Sequence, residues 1–137
     1  MIMAYMMALI LRLEGAALAT SEATFIDDQE FMSIAEVERK YGKKPFSNEK
    51  FKRGSVEERA SMVAHLIKSK KFIGKKPEEV REQLGPYAGH FWNDNIPTYI
   101  IEEGWNKEGD TWQVVFLLDA QGNVNEVKVH KNCCKKN

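Results

Sequence analysis

Cysteine is nearly missing from this chain: Cys133 and Cys134 are the only two in 137 residues, and they are adjacent. Neighbouring cysteines bridge each other only with strain, because a disulfide spans a Cα separation of about 4.4–6.8 Å and consecutive residues sit about 3.8 Å apart. No disulfide framework is expected. An intermolecular disulfide, a soft-metal site and two idle thiols are the readings open to the tail at 132–137. An excess of charge is missing too, since twenty Lys and Arg balance twenty Asp and Glu. Nucleic-acid binding asks for a basic face and usually a pI above about 9, so no nucleic-acid partner is expected. The lysine-rich stretches at 43–44, 68–71, 75–76 and 135–136 fit solvated helix ends and tails, with a basic rim facing anionic lipid as the other reading.

Long hydrophobic runs are absent as well. The apolar run from Met1 to Leu11 is shorter than the roughly 20 residues a membrane-spanning helix needs, so no integral membrane span is expected. Its length, with Ala17-Leu18-Ala19 before Thr20, matches the apolar region and cleavage site of a secretory signal peptide. Residues 1–19 are therefore expected to be a signal peptide and the protein periplasmic or secreted. A retained N-terminal helix in a cytoplasmic protein is the alternative. No Lys or Arg precedes the run, and Arg12 and Glu14 interrupt the approach to the cleavage site.

Reactive constellations are the last absence. His65, His90 and His130 share no H-x-x-x-H spacing, and no C-x-x-C accompanies them. Ser55 and Ser61 lack the context of a nucleophile elbow. Glu102 and Glu103 are expected on opposite faces of a strand, where they cannot act as an acid/base pair. No catalytic, metal or cofactor-binding residue is assigned, and an enzyme is not expected.

What is present is architecture. A chain of 137 residues suits one domain with a core of its own. Ser55 with Glu58 forms a capping box that starts a helix running toward Phe72, Ile73 and Gly74, with Val56, Ala60, Val63, Leu66 and Ile67 as its apolar stripe. Pro77 fits the first position of a second helix, Gly85 a left-handed stop, and Pro86 forbids continuation. Upstream, residues 20–50 form an extension in which Asp27 or Asp28 caps a short helix carrying Phe31, Ile34, Val37 and Tyr41 and ending at Gly42. Phe46 and Phe51 pin a connecting segment to the core.

After Pro86 the apolar period changes from helical to alternating. Residues 87–97 have loop composition. Thr98 to Glu103 is a first strand. Trp112, Val114, Phe116 and Leu118 share one face of a second, with Trp112 in the core, and Val127 and Val129 one face of a third. Asp119 to Asn123 is the turn, with Gly122 suited to positive φ. The expected fold is a two-layer α+β domain over 51–131, a helical pair packed on a three-stranded antiparallel meander, with an extra N-terminal helix.

The segments Phe51-Lys52-x-Gly54-Ser55, Arg59-x-x-Met62-Val63-x-x-Leu66-Ile67, Gly74-x-x-x-Glu78-Glu79-Val80-x-x-x-Leu84-Gly85 and Phe116-Leu117-Leu118-Asp119-x-x-Gly122-x-Val124 resemble the helix-helix-sheet domain of the SmpA/OmlA/BamE lipoproteins. The β-lactamase inhibitor proteins share that arrangement. The resemblance covers about 50 to 130 and implies an envelope or secreted protein that works by protein contact, without catalytic residues or cofactor. Lipoproteins of that family carry a cysteine at the cleavage site, and none precedes Cys133 here.

The expected partner is another protein, of the cell envelope. Tryptophan and tyrosine are enriched at binding hot spots, and the loops hold Trp92 and Trp105. Phe91, Trp92, Tyr99 and Trp105 are the candidate binding residues, and capping of the sheet's ends is their alternative role. The competing function is a small ligand-binding or hydrolase domain with a cleft near His90, Asp94 and Tyr99.

Overall fold

The computed structural model describes residues 31–87, 89–104 and 111–132, and serine starts three of the four helices among them. The helices are α1 (Ile34–Tyr41), α2 (Asn48–Arg53), α3 (Val56–Ser69) and α4 (Pro77–Leu84). The hydroxyls of Ser33, Ser47 and Ser55 accept the amides of Glu36, Lys50 and Glu58. Glu36 and Glu58 reach back to the amides of Ser33 and Ser55 at 3.2 and 2.8 Å, so α1 and α3 both open on capping boxes, each cap being worth about 1 kcal/mol. At α4 only the return half exists: Glu79 accepts the Lys76 amide at 2.9 Å. Residues 1–19, Asp27, Asp28, Trp105, Cys133 and Cys134 lie outside the described residues.

The strands are β1 (Phe31–Met32), β2 (Thr98–Glu102), β3 (Thr111–Leu118) and β4 (Val124–Asn132), in one sheet of order β1-β4-β3-β2. Every pairing is antiparallel. β2, β3 and β4 are the expected meander; the fourth strand is a correction. The box at Ser33 and Glu36 holds the helix to start after Met32, which leaves Phe31 and Met32 extended and opposite His130 and Val129. Phe31 is therefore a strand residue, not part of the helix.

Three further boundaries differ from expectation. Residues 48–53 are helical, and Phe51 within them is fully buried. α3 stops at Ser69, where Lys70 takes φ 56; the Ser69 hydroxyl donates to the Leu66 carbonyl at 2.8 Å and accepts the Lys71 amide at 3.2 Å, a local competition with the helical ladder. Gly85 ends α4 with φ 94 and ψ 178, a positive φ outside the left-handed helical region. The turn before β4 is as expected: Asp119 Oδ1 accepts the amides of Gln121 and Asn123, both at 3.0 Å, and Gly122 has φ 84.

The core lies between the sheet and the helices. Tyr99, Ile101, Val114, Phe116, Val127 and Val129 from the strands meet Val37, Phe51, Met62, Val63, Leu66 and Phe72. Trp112 is half-buried at the edge of this cluster rather than inside it. No helix among the described residues is long and apolar enough to cross a membrane.

Candidate protein-binding surface

The side of the sheet turned away from the helices is also covered. Thr98, Thr111, Gln113 and Val115 alternate with the core residues, yet each is fully buried. The loop before β2 folds back over Thr98 and Gln113, and the Gly104 amide donates to the Thr111 hydroxyl at 2.9 Å. Gln113 clamps the loop: its Nε2 donates to the His90 carbonyl at 2.8 Å and its Oε1 accepts the His90 amide at 3.3 Å. A glutamine placed without solvent is thereby satisfied at both ends of its amide. Gly89 makes the approach possible, because a Cβ there would collide with Gln113 Oε1 and lie 2.8 Å from Thr98 Cγ2.

Beyond the clamp the loop carries Phe91 onto an aromatic stack. Phe91 meets the His130 ring edge-on with centroids 4.5 Å apart, and Phe31 lies 5.4 Å from His130 on its other neighbour strand. Phe31 and His130 face each other across the β1–β4 pair. Offset and edge-on pairs of this kind contribute about 0.5–1.5 kcal/mol beyond their burial. Lys128 completes the group with its ammonium 4.8 Å from the Phe31 centroid.

Trp92 projects from this platform. The Asn93 amide donates to the Phe91 carbonyl at 2.6 Å, closing a γ-turn around Trp92, whose φ is 63. Such a backbone is uncommon for a bulky residue and costs about 1–3 kcal/mol. The indole recovers little of that by burial, since Trp92 is 81% exposed. Its ring stands at the edge of the platform, 6.4 Å from Phe91 centroid to centroid.

Of the sequence-based candidates, Phe91 and Trp92 are thus brought together. Tyr99 is not: it points to the helix side, is buried, and donates its hydroxyl to the Gly85 carbonyl at 2.7 Å. Burial pushes its phenol well above the usual tyrosine range. Period-two alternation accounts for the correction, because Tyr99 pairs with Val114, a core residue of β3. Trp105 lies outside the described residues. Phe31 and His130 were missed by sequence reasoning, although the Ser33/Glu36 box could have excluded Phe31 from the helix.

The cleft expected near His90 does not form around those three residues. His90 Nδ1 and Asp94 Oδ1 are 3.6 Å apart on the exposed loop, and Tyr99 belongs to the opposite side of the sheet. His65 has a structural contact, its Nδ1 accepting the Phe46 amide at 2.6 Å. Glu102 and Glu103, expected to diverge, border one groove of about 770 Å³ with Lys40, Tyr41 and Glu57. A register shift between Ile100 and Glu102 and the end of β2 at Glu102 bring them there. In that groove the Tyr41 hydroxyl donates to Glu102 Oε1 at 2.6 Å and Lys40 stands 3.1 Å from the same oxygen. Burial raises the Glu102 pKa, but the Tyr41 and Lys40 contacts outweigh it and leave the carboxyl below its usual range. These contacts tie α1 to β2, and no nucleophile paired with a base stands among them. Compared with protein-family models, curated proteins and solved structures, the chain matches none.

Proposed function

We propose that this chain is a non-enzymatic protein-binding module of the cell envelope or a secreted protein, exported on residues 1–19, that captures another protein through the aromatic tip at Trp92. One observation carries the reading: a tryptophan 81% exposed is held on a strained turn. Strain without compensating burial points to a use outside the fold. The Phe91, Phe31 and His130 platform supports that use, because a rigid aromatic anchor loses little entropy when a partner closes over it. The resemblance to the SmpA/OmlA/BamE domain agrees with a role in protein contact.

A photo-crosslinking amino acid at position 92, in the native host, tests the proposal, with position 82 on the exposed face of α4 as control. The expected result is one partner protein crosslinked at 92 and not at 82. Trp92→Ala should weaken the purified pair by about 2 kcal/mol or more, the hot-spot scale, with the unfolding midpoint unmoved. Equal affinity for the wild type and Trp92→Ala would refute it. Intact mass of the mature protein checks export: a chain beginning at Thr20 is expected, and a retained Met1 in a cytosolic fraction would place the module in the cytoplasm.

A further inference from the structure

The segment between α1 and α2 is tied to α3 at two points, and a proton can undo one of them. The Lys44 amide donates to the Ser61 carbonyl at 3.0 Å and the Phe46 amide to His65 Nδ1 at 2.6 Å. Pro45 lies between them and has no amide hydrogen for a third tie. A ring nitrogen accepts only while it carries no proton, so the contact fixes His65 as the neutral tautomer with its hydrogen on Nε2. Protonation puts an N–H on Nδ1 as well, aimed at the N–H of Phe46. The bond is then lost, and two donors face each other.

More than backbone depends on that tie. The Phe46 ring lies against Phe51 and Phe72, with centroids 5.9 and 6.1 Å away, and packs on the edge of the core. A hollow of about 340 Å³ lies between the segment and α3, bordered by Phe46 and Met62. His65 is exposed, so solvent protons reach its ring.

No carboxylate stands ready to take up the new charge. Lys43 and Lys44 belong to the segment itself. Lys44 and Lys50 border the hollow with Glu58, whose carboxylate accepts the Ser55 amide in the capping box of α3. Lys71 stands 5.4 Å from the Phe46 centroid, and Glu38 of α1 is paired with Lys68. Among the described residues no acid forms an ion pair with His65.

We propose that His65 is a pH-sensitive latch, closed while its ring is neutral, whose protonation frees the Phe46 end of the segment from α3 and lifts the Phe46 ring off Phe51 and Phe72. The tie at Lys44 does not titrate and serves as the hinge. An imidazole ordinarily changes charge between pH 5 and 8, which sets the range in which the latch works.

NMR of the full chain from pH 8 to pH 5 tests it. At pH 8 a scalar coupling across the hydrogen bond should join the Phe46 amide nitrogen to His65 Nδ1, and it should vanish as the ring becomes protonated. Over the same range the Phe46 amide should lose about tenfold in protection from hydrogen exchange, corrected for the intrinsic effect of pH, and the Lys44 amide much less. Contacts between the Phe46 and Phe72 rings should weaken in step. His65→Gln has no proton to gain and should make the protection of Phe46 independent of pH, whereas His90→Gln should leave the wild-type response intact. The proposal is overturned if the coupling is absent at pH 8, if Phe46 keeps its protection or its ring contacts while His65 becomes protonated, or if the loss persists in His65→Gln. A ring still neutral at pH 5 overturns it too, because the latch would then stay shut.

Discussion

The helix-facing side of the sheet and its opposite side both hide residues completely, but by different physics. On the first, Val114, Phe116 and Val129 belong to one apolar cluster with residues of the four described helices, and hydrogen bonds such as that of Tyr99 to Gly85 are few beside its apolar contacts. On the second, Thr98 and Gln113 are hidden beside a loop that is held by the two hydrogen bonds between Gln113 and His90. Apolar burial is non-directional and sums over many contacts. A clamp is directional and rests on few atoms. The helix side therefore carries the stability of the domain, and the loop side is free to display what the core has no use for, Trp92 above all.

The comparison breaks most visibly at Phe116. Removing this fully buried ring should cost about 3–5 kcal/mol in Phe116→Ala, a large part of the 5–15 kcal/mol a domain has. Urea denaturation measures it. A loss below about 1 kcal/mol would mean that the helix side is not the seat of stability. On the loop side, Gly89→Ala should cost about 1–3 kcal/mol, because the new methyl group meets Gln113 and Thr98, both fully buried, and would displace the Gln113 amide from His90. Gln113→Leu should fall in the same range by leaving the His90 amide and carbonyl unpaired. Both changes should speed hydrogen exchange at His90 far more than at Val114. Equal acceleration at the two sites would show one cooperative unit and erase the distinction.

The same contrast decides what the sequence could tell. Helix starts at Ser55 and Pro77, and the alternation of Val114 and Phe116, are local patterns, and they are where the structure has them. The loop side is not local. Gln113 looks like an ordinary solvated position in an alternating strand, and only the return of His90 over it explains its burial. β1 has two residues, too few for any period, and its pairing with β4 is set by contact across the whole chain. Phe91 and Trp92 were visible as loop aromatics, whereas Phe31 and His130 join them through that pairing alone. Tyr99 shows the reverse error, an aromatic near a loop whose side of the strand was legible but was outweighed by its residue type.

A smaller effect separates the helix side by pH. Burial raises the phenols of Tyr41, Tyr87 and Tyr99, with the Glu102 carboxylate adding to the effect at Tyr41. A raised phenol pKa means that above the unfolded value of about 10 the unfolded chain loses protons first. Stability should then be fully present below pH 10 and fall as pH rises beyond it. Urea midpoints at pH 8, 10 and 11 measure the slope. Tyr99→Phe should flatten the decline while lowering stability at neutral pH by about 1 kcal/mol, the worth of its bond to the Gly85 carbonyl. An unchanged slope would show that this phenol ionises as freely in the fold as out of it.

The smallest expected change in stability is at Trp92, and it sharpens the comparison most. Glycine reaches φ 63 without the Cβ penalty, which relieves about 1–2 kcal/mol of backbone strain. The unfolded chain gains freedom in exchange, about 0.5–1 kcal/mol against folding. The indole, 81% exposed, takes little buried surface with it. Trp92→Gly should therefore match the wild type to within about 1 kcal/mol and exceed Trp92→Ala, which keeps the strain and loses the ring. Both variants should lose the partner alike. Paired urea curves for the two variants distinguish the cases. If glycine proves several kcal/mol less stable than alanine, the turn does not hold a left-handed residue. If both variants lose several kcal/mol, the tip is part of the fold, and the loop side would be a second core rather than a surface for display.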